Sequence, residues 1–422
     1  MKKFLVRGGR ELYGDVHISG MKNAALPIIF ASILTRGRNI IYNLPRVSDI
    51  ELSLDILSSL GARVEYLEDG GIVIDTTHLR SETAPFELVS KMRGSTYLIG
   101  AMLARFGEAK VGFPGGCDFG DRPLDQHFKG FVTLGAKVSY AQSGTVTVDA
   151  PDGLVGNSIY LDIASVGATV NLIIGSVFAS GTTVIMNAAR EPHIVDLANF
   201  LNKCGADIRG AGTNTVRVCG VRELHPCKYT ISPDMIEAGT FMVLAAATGG
   251  AVTVHDIIPE HLDAITAKLR ETGVEIEIYD DRIRVVSNKK LRAINNIKTW
   301  TYPGFATDMH PQFSAMLCFA NGISAVSEAI WDGRFKYVAE LQKMGATIDI
   351  TGNTARIMGG GEMHGASVGA TDLRAGAALV IAALAASGES IIGGVEYINR
   401  GYYDFVGKLR AIGADITLVD ED

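Results

Sequence analysis

The chain has 422 residues, of which 47% are hydrophobic and 20% charged, proportions that are typical of globular proteins and exclude a disordered one. The net charge of −7, with no long basic run, argues against nucleic acid as the main partner. At about 150 residues per domain, the length alone predicts roughly three domains.

Cysteine usage and the most apolar segments together predict a cytoplasmic protein. The five cysteines form an odd and sparse set, which is typical of reduced thiols and not of a disulfide framework. The apolar stretch before Arg7 is too short for a secretory signal. The most apolar segments, residues 241–254 and 377–386, are shorter than the about 18–20 residues of a membrane span. We therefore expect no association with a membrane.

A short pattern recurs six times along the chain: a glycine, a small residue, any residue, and then Val or Ile. The copies are about 70 residues apart, which is the sign of an internal repeat. In the third copy, Ile194, Leu197, Ala198 and Leu201 form one apolar stripe at helical spacing. The glycine then suits a left-handed helix end, and alternating residues typical of a strand follow it. The six glycines are Gly61, Gly135, Gly205, Gly273, Gly345 and Gly413.

Each repeat also contains an earlier helix that is apolar on all sides and is therefore expected to be buried. The repeat is thus predicted to be a βαβαββ unit, with three units in each of two domains, and this corrects the estimate from length. We place one domain at residues 21–232 and the other at residues 1–20 plus 233–422. The buried helices are expected to begin near Lys22, Ser95, Ser165, Asp234, Asp308 and Thr371.

Polar and charged residues are concentrated where these buried helices begin. Free backbone N–H groups and the helix dipole make such positions favourable for phosphate or carboxylate. The alternative is that the Ser, Thr and Asp residues only cap their helices. Lys22 and Arg93 fit that alternative less well, because a cation opposes the dipole at a helix start.

Arginines recur in the loops before the second helix of five repeats, and the fourth repeat has Glu260-His261 instead. Arginine binds phosphate and carboxylate through two hydrogen bonds. Five arginines in similar loops therefore predict small anionic substrates. They are Arg46, Arg122, Arg190, Arg334 and Arg400.

The loop from Phe113 to His127 is rich in glycine and is predicted to act as a lid. Cys117 at its tip has Arg122 nearby, which favours a reactive thiolate, whereas Cys204 and Cys318 have the apolar neighbours of buried thiols. The sequence contains no phosphate-loop or HExxH motif. We predict no metal site.

Seven segments together carry a resemblance to the UDP-N-acetylglucosamine enolpyruvyl transferases, and the resemblance runs from residue 2 to about 416. The loop with Cys117 distinguishes these enzymes from the 5-enolpyruvylshikimate-3-phosphate synthases, which share the repeat. The resemblance implies an α/β fold of two inside-out α/β barrels, each with three βαβαββ repeats around buried parallel helices. The segments are SGMKNAALPI, FPGGCDFGDRPLD, SVGATV, NAAREPHIVD, FATDM, ATDLRAGAAL and INRGY.

The resemblance also implies an activity. The enolpyruvyl group of phosphoenolpyruvate would be transferred to the 3′-hydroxyl of UDP-N-acetylglucosamine with release of phosphate and without a cofactor, as the first committed step of peptidoglycan synthesis. Cys117 would be the proton donor and Asp308 the base or the group that orients the hydroxyl, and Lys22 and Arg400 would assist catalysis. The alternatives are a non-catalytic or regulatory paralogue and transfer to shikimate 3-phosphate.

Two sets of binding residues follow from the same resemblance. Ile163 stands where some relatives have a lysine that reaches the diphosphate, which weakens the expected diphosphate contact there. The expected phosphoenolpyruvate set is Lys22, Asn23, Arg122, Arg334, Asp372, Arg374 and Arg400. The expected nucleotide-sugar set is Asn23, Arg93, Arg122, Pro123, Leu124, Asp125, Gln126, Ser165, Val166, Gly167, Asp308 and Ile330.

Overall fold

A computed structural model of the chain describes residues 2–80, 84–112, 124–141 and 145–420. These residues divide into two units of similar size. The first unit runs from Gly20 to Ser232, and the second unit combines the residues up to Ser19 with those from Pro233 onward. The exact domain boundaries expected from the sequence stay a prediction.

Each repeat contains one helix, here called its core helix, that is buried along most of its length. In the last of them every residue from Arg374 to Leu384 is buried. Short 3-10 turns at Arg93–Thr96 and Thr307–Met309 precede the second and fifth core helices. The expected six buried helices are therefore confirmed. They are Lys22–Ala31, Tyr97–Phe106, Val166–Ser176, Met235–Thr248, His310–Leu317 and Leu373–Ala385.

Each repeat contains a second helix, here called its outer helix, which ends two residues before the repeat glycine. All six of these glycines have positive φ angles, between 90° and 105°. In the third repeat the Ala206 N–H donates to the Leu201 carbonyl and the Gly205 N–H to that of Asn202, both at 3.0 Å, which is a Schellman helix end. The outer helices are Ser48–Ser59, Asp125–Thr133, Pro192–Lys203, Asp263–Glu271, Tyr337–Lys343 and Phe405–Ala411.

Each repeat also forms its own sheet, with four described strands in five repeats and three in the second. The first strand pairs in parallel with the second, and the second and third each pair antiparallel with the fourth, as in the third repeat. The strands of the first unit are Arg38–Tyr42, Arg63–Tyr66, Ile72–Asp75, Glu108–Gly112, Lys137–Tyr140, Thr145–Asp149, Ser158–Tyr160, Thr182–Met186, Asp207–Arg209, Thr215–Cys219 and Lys228–Thr230. Those of the second unit are Lys2–Arg7, Leu12–His17, Gly250–His255, Glu275–Ile278, Arg282–Ser287, Ile297–Lys298, Gly322–Ser327, Thr347–Thr351, Thr354–Gly359, Ser367–Gly369, Glu389–Gly393 and Asp415–Asp420.

Distant segments of the chain complete three of the sheets. Leu12–His17 pairs in parallel with Gly250–His255 and supplies the first strand of the fourth repeat. Lys228–Thr230, at the end of the first unit, pairs in parallel with Arg38–Tyr42 and supplies the first strand of the first repeat. Lys2–Arg7 lies between Glu389–Gly393 and Asp415–Asp420 and supplies the fourth strand of the sixth repeat. The α/β class and the βαβαββ repeat are therefore those expected from the sequence. None of the described helices is long and apolar enough to cross a membrane.

The left-handed helix ends give a stability prediction at Gly413. An added Cβ would meet no atom within 4 Å there, so a substitution would act only through the φ angle of +96°. We expect Gly413→Ala to lower the free energy of unfolding by about 1–2 kcal/mol, because an L-residue is strained there. Gly361→Ala is the matched control, since that glycine has equal space and no positive φ. Urea denaturation that shows equal losses in the two variants would contradict the prediction.

Candidate active site

The carboxylate of Asp308 is held by two buried arginines of the second unit. Its Oδ1 accepts a hydrogen bond from Arg334 Nη2 at 2.8 Å, and its Oδ2 accepts one from Arg374 Nε at 3.2 Å. The side chain of Asp308 is 30% exposed, whereas those of the arginines are 3% and 4% exposed. The structure therefore brings together three of the residues expected from the sequence, with the carboxylate as the accessible member.

Arg374 remains charged in spite of its burial. Burial lowers its pKa. The hydroxyl of Tyr402 and the carboxylates of Asp308 and Asp234 raise the pKa by more than burial lowers it, and the net result is a pKa above the ordinary value. Its guanidinium lies 5.4 Å from the centre of the Tyr402 ring. Its Nη1 is buried and has no hydrogen-bond partner among the described residues. A buried arginine that keeps its positive charge is suited to bind an anionic oxygen of a substrate.

Glu328 organises the surroundings of this cluster, although the sequence reasoning did not select it. Its Oε1 accepts hydrogen bonds from the Thr299 hydroxyl at 2.8 Å and from the N–H groups of Ile330 and Trp331 at 2.7 and 3.1 Å. Its Oε2 accepts one from the Thr307 hydroxyl at 2.7 Å. The half-buried Ile330 therefore has its backbone fixed by Glu328. An acidic residue directly after an apolar strand was the only signal in the sequence.

A hydrogen-bond chain connects Glu328 to Arg334. The Thr307 hydroxyl that donates to Glu328 also accepts from Arg334 Nη1 at 2.7 Å. The carbonyl of Arg334 in turn accepts from His310 Nε2 at 3.1 Å. Burial and the positive charge of Arg334 hold the pKa of His310 well below its usual range, so this ring is neutral. Arg334 is thus oriented through both its side chain and its backbone.

Side chains cap the starts of three of the core helices, and this does not decide whether they also bind substrate. The Asp372 carboxylate accepts from the N–H groups of Arg374 and Ala375 at 2.9 and 3.0 Å. Asp234 and Ser165 cap their helices in the same way. A direct contact between Asp372 and substrate stays a prediction. Arg400 is half-buried between the short helix Val395–Ile398 and the outer helix Phe405–Ala411.

Lys22 begins the first core helix and is paired with a residue that the sequence reasoning missed. Its Nζ donates to Asp49 Oδ2 at 2.9 Å, and the two side chains are 12% and 7% exposed. Asp49 lies in the first turn of the outer helix Ser48–Ser59. A carboxylate next to Lys22 offsets the unfavourable position of a cation at a helix start. Asn23 is half-buried in the same first turn.

His127 lies next to Gly167 and is influenced by the charge of Arg93, and both are expected nucleotide-sugar residues. Its Nδ1 accepts from Asn171 Nδ2 at 2.9 Å. Burial first, and then the positive charge of Arg93, lower the pKa of His127 to about 3, so the ring is neutral. A Cβ at Gly167 would lie 2.9 Å from His127 Nε2, which leaves room only for glycine there. Asn171, which also accepts from the Gly100 N–H at 2.8 Å, was not selected from the sequence.

The side-chain amide of Gln126 forms hydrogen bonds with other residues of the first unit. Its Nε2 donates to Asp125 Oδ2 at 2.7 Å and to Asp162 Oδ2 at 3.0 Å, and its Oε1 accepts from the Asp162 N–H at 2.9 Å. Leu124 beside it is buried. Ile163 is 61% exposed, so the position where some relatives have a lysine is open to solvent. Three further residues of the expected nucleotide-sugar set, Ser165, Val166 and Gly167, are half-buried.

Three expected site residues, Cys117, Arg122 and Pro123, lie outside the described residues. Among the described cysteines, Cys204 and Cys318 are buried as expected. Within residues 2–80, 84–112, 124–141 and 145–420, no group of His, Cys, Asp and Glu is placed to hold a metal ion.

Comparison with known proteins places the whole chain in one family. Residues 6–409 match the family of EPSP synthase (3-phosphoshikimate 1-carboxyvinyltransferase). The chain is 51% identical to "UDP-N-acetylglucosamine 1-carboxyvinyltransferase 2" of Clostridium acetobutylicum, with 99% of both chains covered. It is 50% identical to "UDP-N-acetylglucosamine 1-carboxyvinyltransferase 3" of Caldanaerobacter subterraneus subsp. tengcongensis, with 100% of both covered. The chain belongs to the enolpyruvyl transferases.

Two solved structures agree with this assignment. The enolpyruvyl transferase NikO from Streptomyces tendae is 25% identical, covers 99% of this chain and 98% of its own, and superposes with a TM-score of 0.90. EPSP synthase from Acinetobacter baumannii is 18% identical with full coverage of both chains and a TM-score of 0.77, which shows a shared fold. The protein is thus a transferase that acts on small molecules, with the enolpyruvyl transferase fold.

The neutral His127 of this enolpyruvyl transferase gives a prediction about pH. An unfolded histidine binds a proton below pH about 6.5, whereas folded His127 does not do so until about pH 3. The unfolded state therefore binds more protons in this window, and stability falls as the pH falls from about 6.5 towards 3. His127→Asn keeps an acceptor near the Nδ1 position, and we expect it to remove about 2 kcal/mol of the loss between pH 7 and pH 5.

Urea denaturation at the two pH values measures this difference. His78→Asn is the control, because His78 is exposed in the same unit and should leave the pH dependence unchanged. An identical pH dependence in wild type and His127→Asn would show that His127 is not held neutral.

Proposed function

We propose that this chain transfers the enolpyruvyl group of phosphoenolpyruvate to the 3′-hydroxyl of UDP-N-acetylglucosamine and releases phosphate, the first committed step of peptidoglycan synthesis. The observation that carries the proposal is the full-length similarity, at 47–51% identity, to enzymes named UDP-N-acetylglucosamine 1-carboxyvinyltransferase. The Asp308 cluster supports it, because the reaction needs anion-binding groups next to a carboxylate that can accept a proton.

The reaction proceeds by addition and then elimination. C3 of phosphoenolpyruvate gains a proton and the sugar oxygen attacks C2, after its own proton has passed to a base. C3 then loses a proton, phosphate leaves from C2, and the enolpyruvyl ether remains. In our proposal Cys117 supplies the proton to C3, and Asp308 takes or orients the proton of the hydroxyl.

Cationic groups would stabilise the charge on phosphoenolpyruvate and on the leaving phosphate. Arg334 and Arg374 are buried, and both are fixed in place by hydrogen bonds to Asp308. Lys22 supplies a further cation that is held by Asp49. Arg122 and Arg400 complete the proposed phosphoenolpyruvate set, together with Asn23 and Asp372.

The proposed contacts with the nucleotide sugar divide into two groups. Asp308 and Ile330 belong to the second unit, where Glu328 fixes the backbone of Ile330. Arg93 and the segment Ser165–Gly167 belong to the first unit, where the charge of Arg93 acts on His127 and the ring of His127 lies next to Gly167. The rest of this proposed set is Asn23, Arg122, Pro123, Leu124, Asp125 and Gln126. Ile163 is exposed and cannot contact the diphosphate as the lysine of some relatives would. We therefore propose that Arg93 and Arg122 neutralise more of the negative charge of the diphosphate.

Phosphate release tests the proposed reaction directly. We expect the purified chain to release phosphate from phosphoenolpyruvate only when UDP-N-acetylglucosamine is present, in equal amounts with the enolpyruvyl product. Shikimate 3-phosphate is the comparison acceptor, because the alternative function would use it. Release with that acceptor alone would favour the alternative, and release with neither would favour a non-catalytic paralogue.

Substitutions at Cys117 test the proton donor. We expect Cys117→Ser to reduce turnover nearly to background, because a hydroxyl is a much weaker acid than a thiol. Cys117→Asp still supplies an acid and should retain part of the turnover while it loses reaction with thiol reagents. Wild-type turnover in both variants would contradict the assigned role.

Asp308→Asn tests the base while the bulk of the side chain is kept. We expect kcat to fall by about 10²–10⁴-fold, the usual contribution of a general base. Asp234→Asn is the matched control: it removes a carboxylate from another core-helix start in the same unit but keeps the oxygen that caps the helix. We expect the control to lose less than about tenfold. Losses of the same size in both variants would show only a general effect of charge.

A further inference from the structure

Two cysteines of the first unit are in direct contact, far in sequence from the proposed catalytic Cys117. The Sγ atoms of Cys204 and Cys227 are 3.4 Å apart. Cys204 is the fully buried residue that ends the outer helix Pro192–Lys203. Cys227 is half-buried and directly precedes the strand Lys228–Thr230. Neither thiol has a part in the reaction proposed above.

Backbone hydrogen bonds hold both cysteines in place. The N–H of Cys227 donates to the side-chain oxygen of fully buried Asn39 at 3.1 Å, and its carbonyl accepts from the Ile40 N–H at 3.0 Å. The carbonyl of Cys204 accepts from the His225 N–H at 2.9 Å. The contact between the sulfur atoms therefore joins two anchored segments. A disulfide needs the sulfur atoms to approach by a further roughly 1.4 Å, a movement that side-chain rotation can supply.

The two thiols differ in reactivity. The hydrogen bond from Cys204 and then the positive charge of Lys203 lower the pKa of Cys227, although partial burial opposes them. The same hydrogen bond, followed by burial, raises the pKa of Cys204. The thiolate is the nucleophile in disulfide exchange. Cys227, which is also the more exposed of the two, is therefore the thiol that reacts first.

We propose that Cys204 and Cys227 are a redox modification site that forms a reversible disulfide with a low-molecular-weight disulfide as the oxidant. The Cys227 thiolate attacks one sulfur of the oxidant, whose S–S bond breaks, and the first small thiol leaves with the proton that Cys227 released. The sulfur of Cys204 then attacks that of Cys227, and the second small thiol leaves with the proton of Cys204. Two protein thiols are oxidised, and one small disulfide is reduced to two thiols.

The disulfide would have a mechanical consequence for the first unit. It would join the end of the third repeat's outer helix to the strand that completes the sheet of the first repeat. The closed loop would span about 24 residues, and a link of that size restricts the unfolded chain more than the folded one. Oxidation should therefore stabilise the first unit, and reduction should reverse the effect.

The test uses the full chain with Cys117→Ser, because the thiol of Cys117 would react separately. After incubation with oxidised glutathione we expect the intact mass to fall by about 2 Da and a peptide that links Cys204 to Cys227. The midpoint of thermal unfolding should rise by about 5–10 °C. Dithiothreitol should reverse all three changes.

Single substitutions separate the two steps. In Cys204→Ser we expect Cys227 to retain one glutathione, because the second thiol is missing. In Cys227→Ser we expect Cys204 to remain unmodified, because it is buried. Cys219→Ser and Cys318→Ser are controls that should behave like the parent chain. A link from Cys227 to Cys219, stable glutathione on Cys227 in the parent chain, or an unchanged unfolding midpoint would each overturn the proposal.

Discussion

The burial of the core helices on all sides is the constraint on which the rest of the structure depends. In Met235–Thr248, every residue from Ile236 onward is buried, so this helix has no solvent-exposed face along its length. Such a helix can be stable only inside a protein, and the backbone groups that lack a partner within the helix lie at its two ends. The polar residues of these repeats therefore gather at the helix starts, among them Asp234, Asp308 and Asp372. The position of the candidate site is a consequence of this packing.

Charges at buried helix starts need partners, and in this chain other side chains supply them. Arg334 and Arg374 share Asp308, and Lys22 is paired with Asp49. An unpaired buried charge would be strongly destabilising, so these pairs keep the cations in place before any substrate binds. An anionic substrate then meets groups that are already oriented and largely desolvated, which increases the strength of each contact.

Features that depend on local sequence could be predicted, whereas the particular pairings between distant strands could not. The left-handed glycine ends follow from a pattern of four consecutive residues, and the buried helices follow from their uniformly apolar composition. The pairing of Lys228–Thr230 with Arg38–Tyr42 joins segments almost a whole unit apart, and no periodicity indicates it. The same reason explains why Asp49 and Glu328 were missed, since their importance comes from contacts with Lys22 and Thr307. Asp308 and Arg334 were first selected by their positions in the repeat, and the family resemblance assigned roles to them and to Arg374. Only the structure shows that the three share one cluster.

The sequence of the first unit is inserted into that of the second unit, and the backbone at the two connections shows how this is possible. In the first unit the Met21 N–H donates to the Ser232 carbonyl at 2.8 Å, and in the second the Asp234 N–H donates to the Ser19 carbonyl at 2.9 Å. Each unit therefore has its two connecting ends side by side. When an inserted segment begins and ends at one place, its own folding closes the loop, and the surrounding unit loses little additional entropy. The three sheets of each unit can thus be completed by strands from both sides of the connection, as Lys2–Arg7 does for the sixth repeat.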